Sequence, residues 1–444
     1  MGRERLSPLA AFFMRESAFM RRALLLLLPF LLGAAGPAVD HGAIRRDRLG
    51  KLLPQAMAAE GVDMWLTFTR ENALDPLLPL LGIEDIVARG AFVFMLQPDG
   101  GVRKVAIAAS YDVDPIQASG LYDEVISYRK EGIKPHLAEL VARRDPRRIA
   151  VNQSRDETVA DGLTAGMRAY LEETLGKHAR RFVSSDRLVV SMMSRKLPQE
   201  IEALRRAVEV TQQVIREALT PQVVRPGATT EVQLHEWMVR RAGELGCGVA
   251  FGSIVSGPSR GHSDPTGRVI QPGDTIRVDW GASYEGYDAD IQRTAYVLKP
   301  AERTAPAWLQ RLWQDTLEAN RAAMAACRPG AAGVDVDRAG RAALTRKGYE
   351  EYPHGTGHPI GLKVHDVGPK LSPDWPERYG QPVFFKIEPG QVFAIEPLIY
   401  LVPPELGYDF HVALEEDVVV EEEGARLIGT PQTELILIPS QGAP

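Results

Sequence analysis

Residues 279–290 read Asp-Trp-Gly-Ala-Ser-Tyr-Glu-Gly-Tyr-Asp-Ala-Asp, and the chain on either side alternates as a half-buried strand does. Thr275, Ile276, Arg277 and Val278 lead in, and residues 291–298 resume the β-favouring pattern. Gly281, Gly286 and the Tyr-rich centre make a hairpin the expected connection. Each arm then brings an acid to the same end of a sheet, Asp279 on one and Asp288 or Asp290 on the other. Residues i and i+2 of a strand share a face, so the period alone leaves that last choice open. A carboxylate at a buried strand end is unfavourable unless something positive meets it.

The arrangement recurs. A second hairpin is expected with arms 391–401 and 411–421, carrying Glu396 in Ile-Glu-Pro on one arm and Glu415, Glu416 and Asp417 on the other. Glu415 and Asp417 share a face and Glu416 points away. Two helices precede each hairpin, at 198–219 and 230–245, then at 308–326 and 334–347. In the first, Ile201, Leu204, Val208, Ile215 and Leu219 fall on one face at helical spacing. Pro226-Gly227 and Pro329-Gly330 separate the members of each pair. Two helices followed by an acid-bearing hairpin, twice over, imply two halves related in architecture, though not residue by residue. Four carboxylates converging in a partly desolvated cleft repel one another unless protonated or metal-bound, and two divalent cations would neutralise them. The histidines offer a nitrogen ligand: of nine, His354, His358 and His365 cluster among glycines, and His262 follows Ser-Gly-Pro-Ser-Arg-Gly. Oxygen ligands with one imidazole suit Mn, Co, Fe or Zn.

The rest of the chain reads more quietly. Residues 42–190 form an α/β pattern, with a helix at 46–60 ended by Gly61 and strands at 62–68, 91–96, 103–108 and 149–152. Alternating elements of this kind imply a mixed sheet with covering helices, and no catalytic constellation falls within it. Arg15, Arg21 and Arg22 precede an apolar run of 14 residues at 23–36, short for a membrane span and suited to a secretory leader cut after Ala38. The expected organisation is therefore a leader at 1–38, an α/β domain at 39–190 and a catalytic domain at 195–444, in an exported protein, periplasmic or secreted. A net charge of −6 with no basic block argues against nucleic acid as a partner. The two cysteines, Cys247 and Cys327, read as buried free thiols.

These segments resemble the pita-bread metallopeptidases: methionine aminopeptidases, aminopeptidase P and prolidases. Residues 195–440 are similar to the catalytic domain, and 42–190 to the N-terminal domain of the aminopeptidase P and prolidase branch. The resemblance implies an α+β fold with a smaller α/β domain in front. It implies Asp279, Asp290, His358, Glu396 and Glu415 as metal ligands. Asp279 matches the Asp of Asp-x-Gly, with Asp290 11 residues on, and His358 precedes x-Ile-Gly. Glu396 matches the Glu of Ile-Glu-Pro, and Glu415 opens the last acidic strand. His262, His354 and His365 would contact substrate or the tetrahedral intermediate, with Glu396 as acid/base. The implied cofactor is two divalent ions, manganese first, sharing a hydroxide that attacks the scissile carbonyl.

The implied activity is removal of an N-terminal residue, Xaa-Pro in type, from a peptide substrate, by a homodimer with no stable membrane span after cleavage. The alternatives are a prolidase restricted to dipeptides, and a metal-free or non-peptidase relative. A prolidase needs a cation for the dipeptide carboxylate, and residues 391–421 contain no Arg or Lys. The chain departs from the family pattern where Gln292 replaces Thr, Pro359 and Leu398 replace Gly, and Ala413 replaces an Arg two residues before the last Glu. Residues 368–386 look like an insertion able to cover the cleft.

Overall fold

The computed structural model describes residues 38–440, so the expected leader lies outside the described residues apart from Ala38. The first strands build one six-stranded sheet in the order β4-β3-β2-β1-β5-β6. They are β1 (Met64–Arg70), β2 (Arg89–Leu96), β3 (Val102–Ala109), β4 (Glu124–Tyr128), β5 (Ile149–Val151) and β6 (Phe182–Ser184). β1, β2 and β3 are an antiparallel meander, and β4, β5 and β6 add in parallel, giving the mixed sheet that alternating elements imply. Both faces are apolar and both are covered. Trp65, Phe92 and Phe94 pack with Leu49, Leu53 and Met57 on one side, while Met64, Leu66 and Phe68 pack with Leu137 and Leu171 on the other. The helix expected at 46–60 starts earlier, because Asp40 caps it by accepting from Ala43 N at 2.9 Å. It runs His41–Asp47, takes a π turn at Arg48–Leu52 and continues at Leu53–Ala59.

The remaining chain repeats one plan. The first half comprises α1 (Pro198–Ala218), α2 (Glu231–Glu244), β7 (Gly248–Ser256), β8 (Thr275–Tyr284), β9 (Tyr287–Asp288) and β10 (Ile291–Val297). The second comprises α3 (Ala307–Ala326), α4 (Gly333–Thr345), β11 (Gly357–Pro359), β12 (Val392–Ile395), β13 (Leu398–Leu401), β14 (Phe410–Ala413), β15 (Glu416–Glu421) and β16 (Gly424–Leu427). A last strand, β17 (Ile436–Ile438), returns to pair in parallel with β10. One sheet runs β7-β8-β10-β17 with β9 on β8, the other runs β11-β12-β15-β16, and β13 pairs with β14. Strand β8 shows how the pattern positions chemistry. Ile276, Val278, Trp280 and Ala282 are buried in one core with Leu204, Ala207 and Val208 of α1, so Arg277, Asp279 and Gly281 face the opposite side. Burying each Val or Ile of this set contributes about 1.5–3 kcal/mol, which fixes the register that aims Asp279.

Two local features differ from the sequence expectation. The first strand does not end at Asp279; β8 continues to Tyr284, and the turn sits at Glu285-Gly286. The returning arm then breaks at Ala289-Asp290, where Ala289 O presses against Gly281 so closely that a Cβ there would lie 1.9 Å away. The second hairpin is likewise interrupted on both arms, at Glu396-Pro397 and at Leu414-Glu415. Pro397 has no N–H to offer a ladder. The amides of Glu396 and Glu415 bond elsewhere, to Thr356 O at 2.8 Å and Gln292 O at 3.1 Å. Three acids therefore sit where the backbone leaves regular pairing, which lets their side chains depart from strict alternation.

Arg48 ties the first domain to this frame. Buried, its Nη2 donates to both oxygens of Glu200 at 2.7 and 2.6 Å and its Nη1 to Met192 O at 2.7 Å, while Tyr287 on β9 donates to Glu200 Oε1 at 2.9 Å. Cys247 and Cys327 are buried free thiols, as expected. Among the described residues no helix is long and apolar enough to cross a membrane. Because Gly281 admits no side chain without moving Ala289, Gly281→Ala should lower stability by about 1–3 kcal/mol in urea unfolding. An unchanged midpoint would show that the close approach is not required.

Candidate metal centre

Asp279, Asp290, His358, Glu396 and Glu415 line one cavity of about 670 Å³, together with His262, His354 and His365. Asp279 comes from the middle of β8, Asp290 from the break before β10, His358 from β11, and Glu396 and Glu415 from the two breaks of the second hairpin. Both halves of the repeat thus contribute acids to one space. Ligating atoms of Asp290, His358 and Glu415 lie within 4.8 Å of one another. His358 Nε2 is 3.4 Å from Asp290 Oδ2 and 3.8 Å from Glu396 Oε1. Asp279 stands outside this tight group, with its Oδ2 3.1 Å from His262 Nδ1.

The histidine loop is held from below by α4. Asp337 Oδ1 accepts from Thr356 N at 3.1 Å and Thr356 Oγ1 at 2.9 Å, and Arg341 bonds Asp337 Oδ2 at 2.7 Å, Tyr352 O at 2.6 Å and also His354 O. Gly357 lets β11 approach β12, since a Cβ there would meet Ala394 O at 2.1 Å. The imidazole of His365 stacks on that of His358, with centroids 4.0 Å apart. Buried Lys196 pairs with Asp366 at 2.8 Å, next to His365. None of His41, His136, His178 and His235 lines the cavity, and His411 lies outside it with Nδ1 2.7 Å from Ser259 Oγ.

Crowded burial dominates the electrostatics. Burial first, and neighbouring carboxylates second, push Asp290, Glu396 and Glu415 well above the usual carboxylate range. Asp290 and Glu415 are close neighbours, and the charge of Asp290 is the largest carboxylate influence on Glu415. Asp290 Oδ1, buried, has no hydrogen-bond partner. The imidazoles are driven towards neutrality: burial lowers His358 and takes His354 to about 4, and the charge of His358, with burial, takes His365 to about 4. Neutral imidazole beside clustered carboxylates with an orphaned oxygen is a donor set that fits divalent cations. Asp279, Asp290, His358, Glu396 and Glu415 are the residues that would hold them.

Strand period had left Asp288 and Asp290 open. Only Asp290 faces the cavity, because the kink at Ala289 turns it away from the face of Asp288, whose amide bonds Gly361 O at 2.9 Å. Asp417 does not line the cavity; its Oδ2 accepts from Asp290 N at 3.0 Å. Glu416 pairs with buried Arg293 at 2.8 Å. Glu388, in a second Ile-Glu-Pro, is exposed beside Arg195. Strand β8 brings a buried cation beside the acids. Arg277 Nη1 donates to Asp279 Oδ2 at 3.2 Å and Gln292 Oε1 at 3.0 Å, and Gln292 Nε2 donates to Glu415 Oε2 at 3.4 Å. Gln292, one of the departures from the family pattern, is therefore joined to Asp279 and Glu415 through one buried Arg. Its signal was legible: Arg277 precedes Asp279 by two residues on the same face of a strand. The segment 368–386, expected from the sequence to lie over the cleft, brings Lys370, Ser372, Arg378 and Tyr379 to the cavity wall.

In the unfolded chain an Asp loses its proton near pH 4, about where free carboxyls do, whereas folded Asp290 keeps it to well above that. Between those limits the folded state binds more protons, so this group lowers stability as pH rises. Asp290→Asn, stripped of metal, should melt higher than stripped wild type at about pH 8, with the gap closing towards about pH 4. Saturating divalent ion should reverse the order, since binding only the folded state stabilises it by about 2.7 kcal/mol at a hundredfold excess over Kd. A gap independent of pH and metal in melting curves would contradict the assignment.

Residues 202–422 match the model of Metallopeptidase family M24. The chain is 31% identical over 247 residues to the uncharacterized peptidase YqhT of Bacillus subtilis, a match covering 55% of this chain and 64% of that protein. It is 28% identical over 264 residues to the Xaa-Pro dipeptidase of Pyrococcus furiosus, covering 58% of this chain and 70% of the relative. The crystal structure of an X-Pro aminopeptidase from Thermotoga maritima superposes with a TM-score of 0.64 at 25% identity, over 86% of this chain and 99% of that one. Family model, relatives and pita-bread architecture agree, and the chain belongs, through residues 202–422, to metallopeptidase family M24.

Proposed function

We propose that the protein is a metal-dependent peptidase that releases the N-terminal residue of a peptide, with Pro following the scissile bond. The observation that supports this reading is the meeting of four carboxylates and His358 around one cavity whose rim carries three further histidines. The names of the P. furiosus and T. maritima relatives support the Xaa-Pro preference. A Pro nitrogen has no hydrogen to donate, so a site for such substrates recognises shape rather than an amide N–H.

Two divalent ions, manganese first, would supply Lewis-acid polarisation of the scissile carbonyl and activation of a water. Glu396, ionised beside the cations and made more basic by burial, would take the proton from that water and deliver it to the leaving nitrogen. His262 and His365, on the cavity rim, would hydrogen-bond the developing oxyanion or orient the peptide. His354 Nδ1 is 2.6 Å from Gly355 O, and its Nε2 is buried without a partner, leaving an atom for the substrate. The α-amine of the substrate would meet the acidic wall, so the site measures one residue from the N-terminus.

Purified protein with added manganese should release the first residue of Xaa-Pro peptides, and a chelator should abolish release. Glu396→Gln should lower kcat by about 10²–10⁴-fold. Chelator-resistant hydrolysis, or an unchanged kcat in that variant, would contradict the proposal. The proposal extends to export: sequencing the mature protein should find Val39 first, and retention of residues 23–36 would contradict it.

A further inference from the structure

The loop 257–274 between β7 and β8 carries His262, and the residues around that histidine are tied down one by one. Ser259 N donates to Asp409 O at 2.8 Å, beside β14. Arg260 Nη2 donates to Glu231 Oε2 of α2 at 2.6 Å. That buried carboxylate also accepts from Ser256 N at 2.8 Å and Thr266 N at 3.0 Å, on either side of His262. Gly261 O accepts from Arg277 Nη2 of β8, and Ser263 O accepts from Ser253 Oγ of β7 at 2.8 Å. His262 projects from this mount with its side chain 72% exposed and Nδ1 3.1 Å from Asp279 Oδ2. Its backbone is held from four elements while its imidazole is free to meet a ligand, as a supported functional group requires.

The anchor at Ser259 comes from the other half of the repeat. Ser259 Oγ and His411 Nδ1 are 2.7 Å apart, and Gly261 N donates to the same Oγ at 3.4 Å. On β14, Phe410 and Val412 are buried in an apolar core with Trp313 and Ile399, so His411 and Ala413 face the other way. His411 is buried, and its Nε2 has no hydrogen-bond partner. Burial, and then the charges of Arg277, His262 and His354, take it to about 3, so the imidazole is neutral. A buried nitrogen left unsatisfied is unfavourable. The bond to Ser259, and not core stability, is what this residue offers.

We propose that His411 is a positioning residue for His262: through Ser259 it fixes the loop of the first half against β14 of the second, and so sets where the His262 imidazole meets the substrate. The proposal rests on the peptidase reading above and adds a residue to its machinery. His411 does not line the cavity, so it acts through the loop and not on the substrate.

A double-mutant cycle on manganese-loaded protein, with alanyl-prolyl-alanine as substrate, tests this. His411→Leu removes both nitrogens and keeps an apolar side chain in their place. Its metal content and melting midpoint should stay near wild type while kcat/KM falls about tenfold, the scale of one hydrogen bond. Ser259→Ala should do the same and carries the cycle should His411→Leu fail to fold. His411→Asn, whose amide reaches about where Nδ1 stands, should recover part of the loss. In a His262→Ala background, His411→Leu should change kcat/KM by less than about twofold, because the group it positions is gone. Whichever of kcat and KM His262→Ala alters, His411→Leu should alter the same one. A tenfold fall that persists without His262 or comes with lost metal, or a wild-type kcat/KM in both His411→Leu and Ser259→Ala, overturns the inference and leaves the peptidase standing. No cleavage of the peptide by wild type overturns the peptidase reading itself.

Discussion

Four carboxylates packed into one cavity repel one another, and the fold holds them there. Asp279, Asp290 and Glu415 are each almost wholly buried, and Glu396 is nearly so. Water does not screen them, and the nearest buried cation, Arg277, touches only Asp279 directly. Without further positive charge the cluster relieves itself by retaining protons, as the raised Asp290, Glu396 and Glu415 carboxyls do. Such frustration persists only where the surrounding structure over-determines it, and it marks the place where cations belong.

Much of the architecture can be seen as the means of holding that cluster. The apolar face of β8 against α1 sets the register that aims Asp279, and the contact of Gly281 with Ala289 O turns Asp290 inward. In the second half, Pro397 and the detour of the Glu415 amide to Gln292 open the ladders where acids are needed. Buried pairs outside the cluster fix its supports: Arg48 with Glu200 behind the first hairpin, Asp337 with Arg341 under the histidine loop, and Arg293 with Glu416 behind Glu415. Removing one member of such a pair costs about 3–5 kcal/mol, because it strands the other charge. The site is therefore rigid on the metal side, while His262 and His365 remain exposed to the cleft.

The repeated helix pair, the two hairpins and the mixed N-terminal sheet were legible in the sequence because each rests on local periodicity and turn chemistry. Eight of the residues that line the cavity were named as well: acids at strand ends and a histidine cluster among glycines carry their own signal, while Asp290 and Glu415 were singled out by the family resemblance. What escaped was set by departures from period. Strict alternation places Asp288 and Asp290 on one face, and a single kink separates them. It groups Glu415 with Asp417, and the break at Leu414-Glu415 assigns them different tasks. Long-range contributions were also hidden: the 368–386 segment meets the cavity while packed against β11 at Gly357–Leu371 and against Asp156 of the first domain. A search confined to the second hairpin could not find them.

The claim on which everything else depends is that the carboxylate cluster is a site for two divalent cations. Metal content is its most direct test. Protein dialysed against manganese and then against metal-free buffer should retain close to two ions per chain by elemental analysis, and His358→Ala should retain fewer. Wild-type protein that holds no ion, and shows no heat of binding on titration with manganese, cobalt, iron or zinc, would contradict the account.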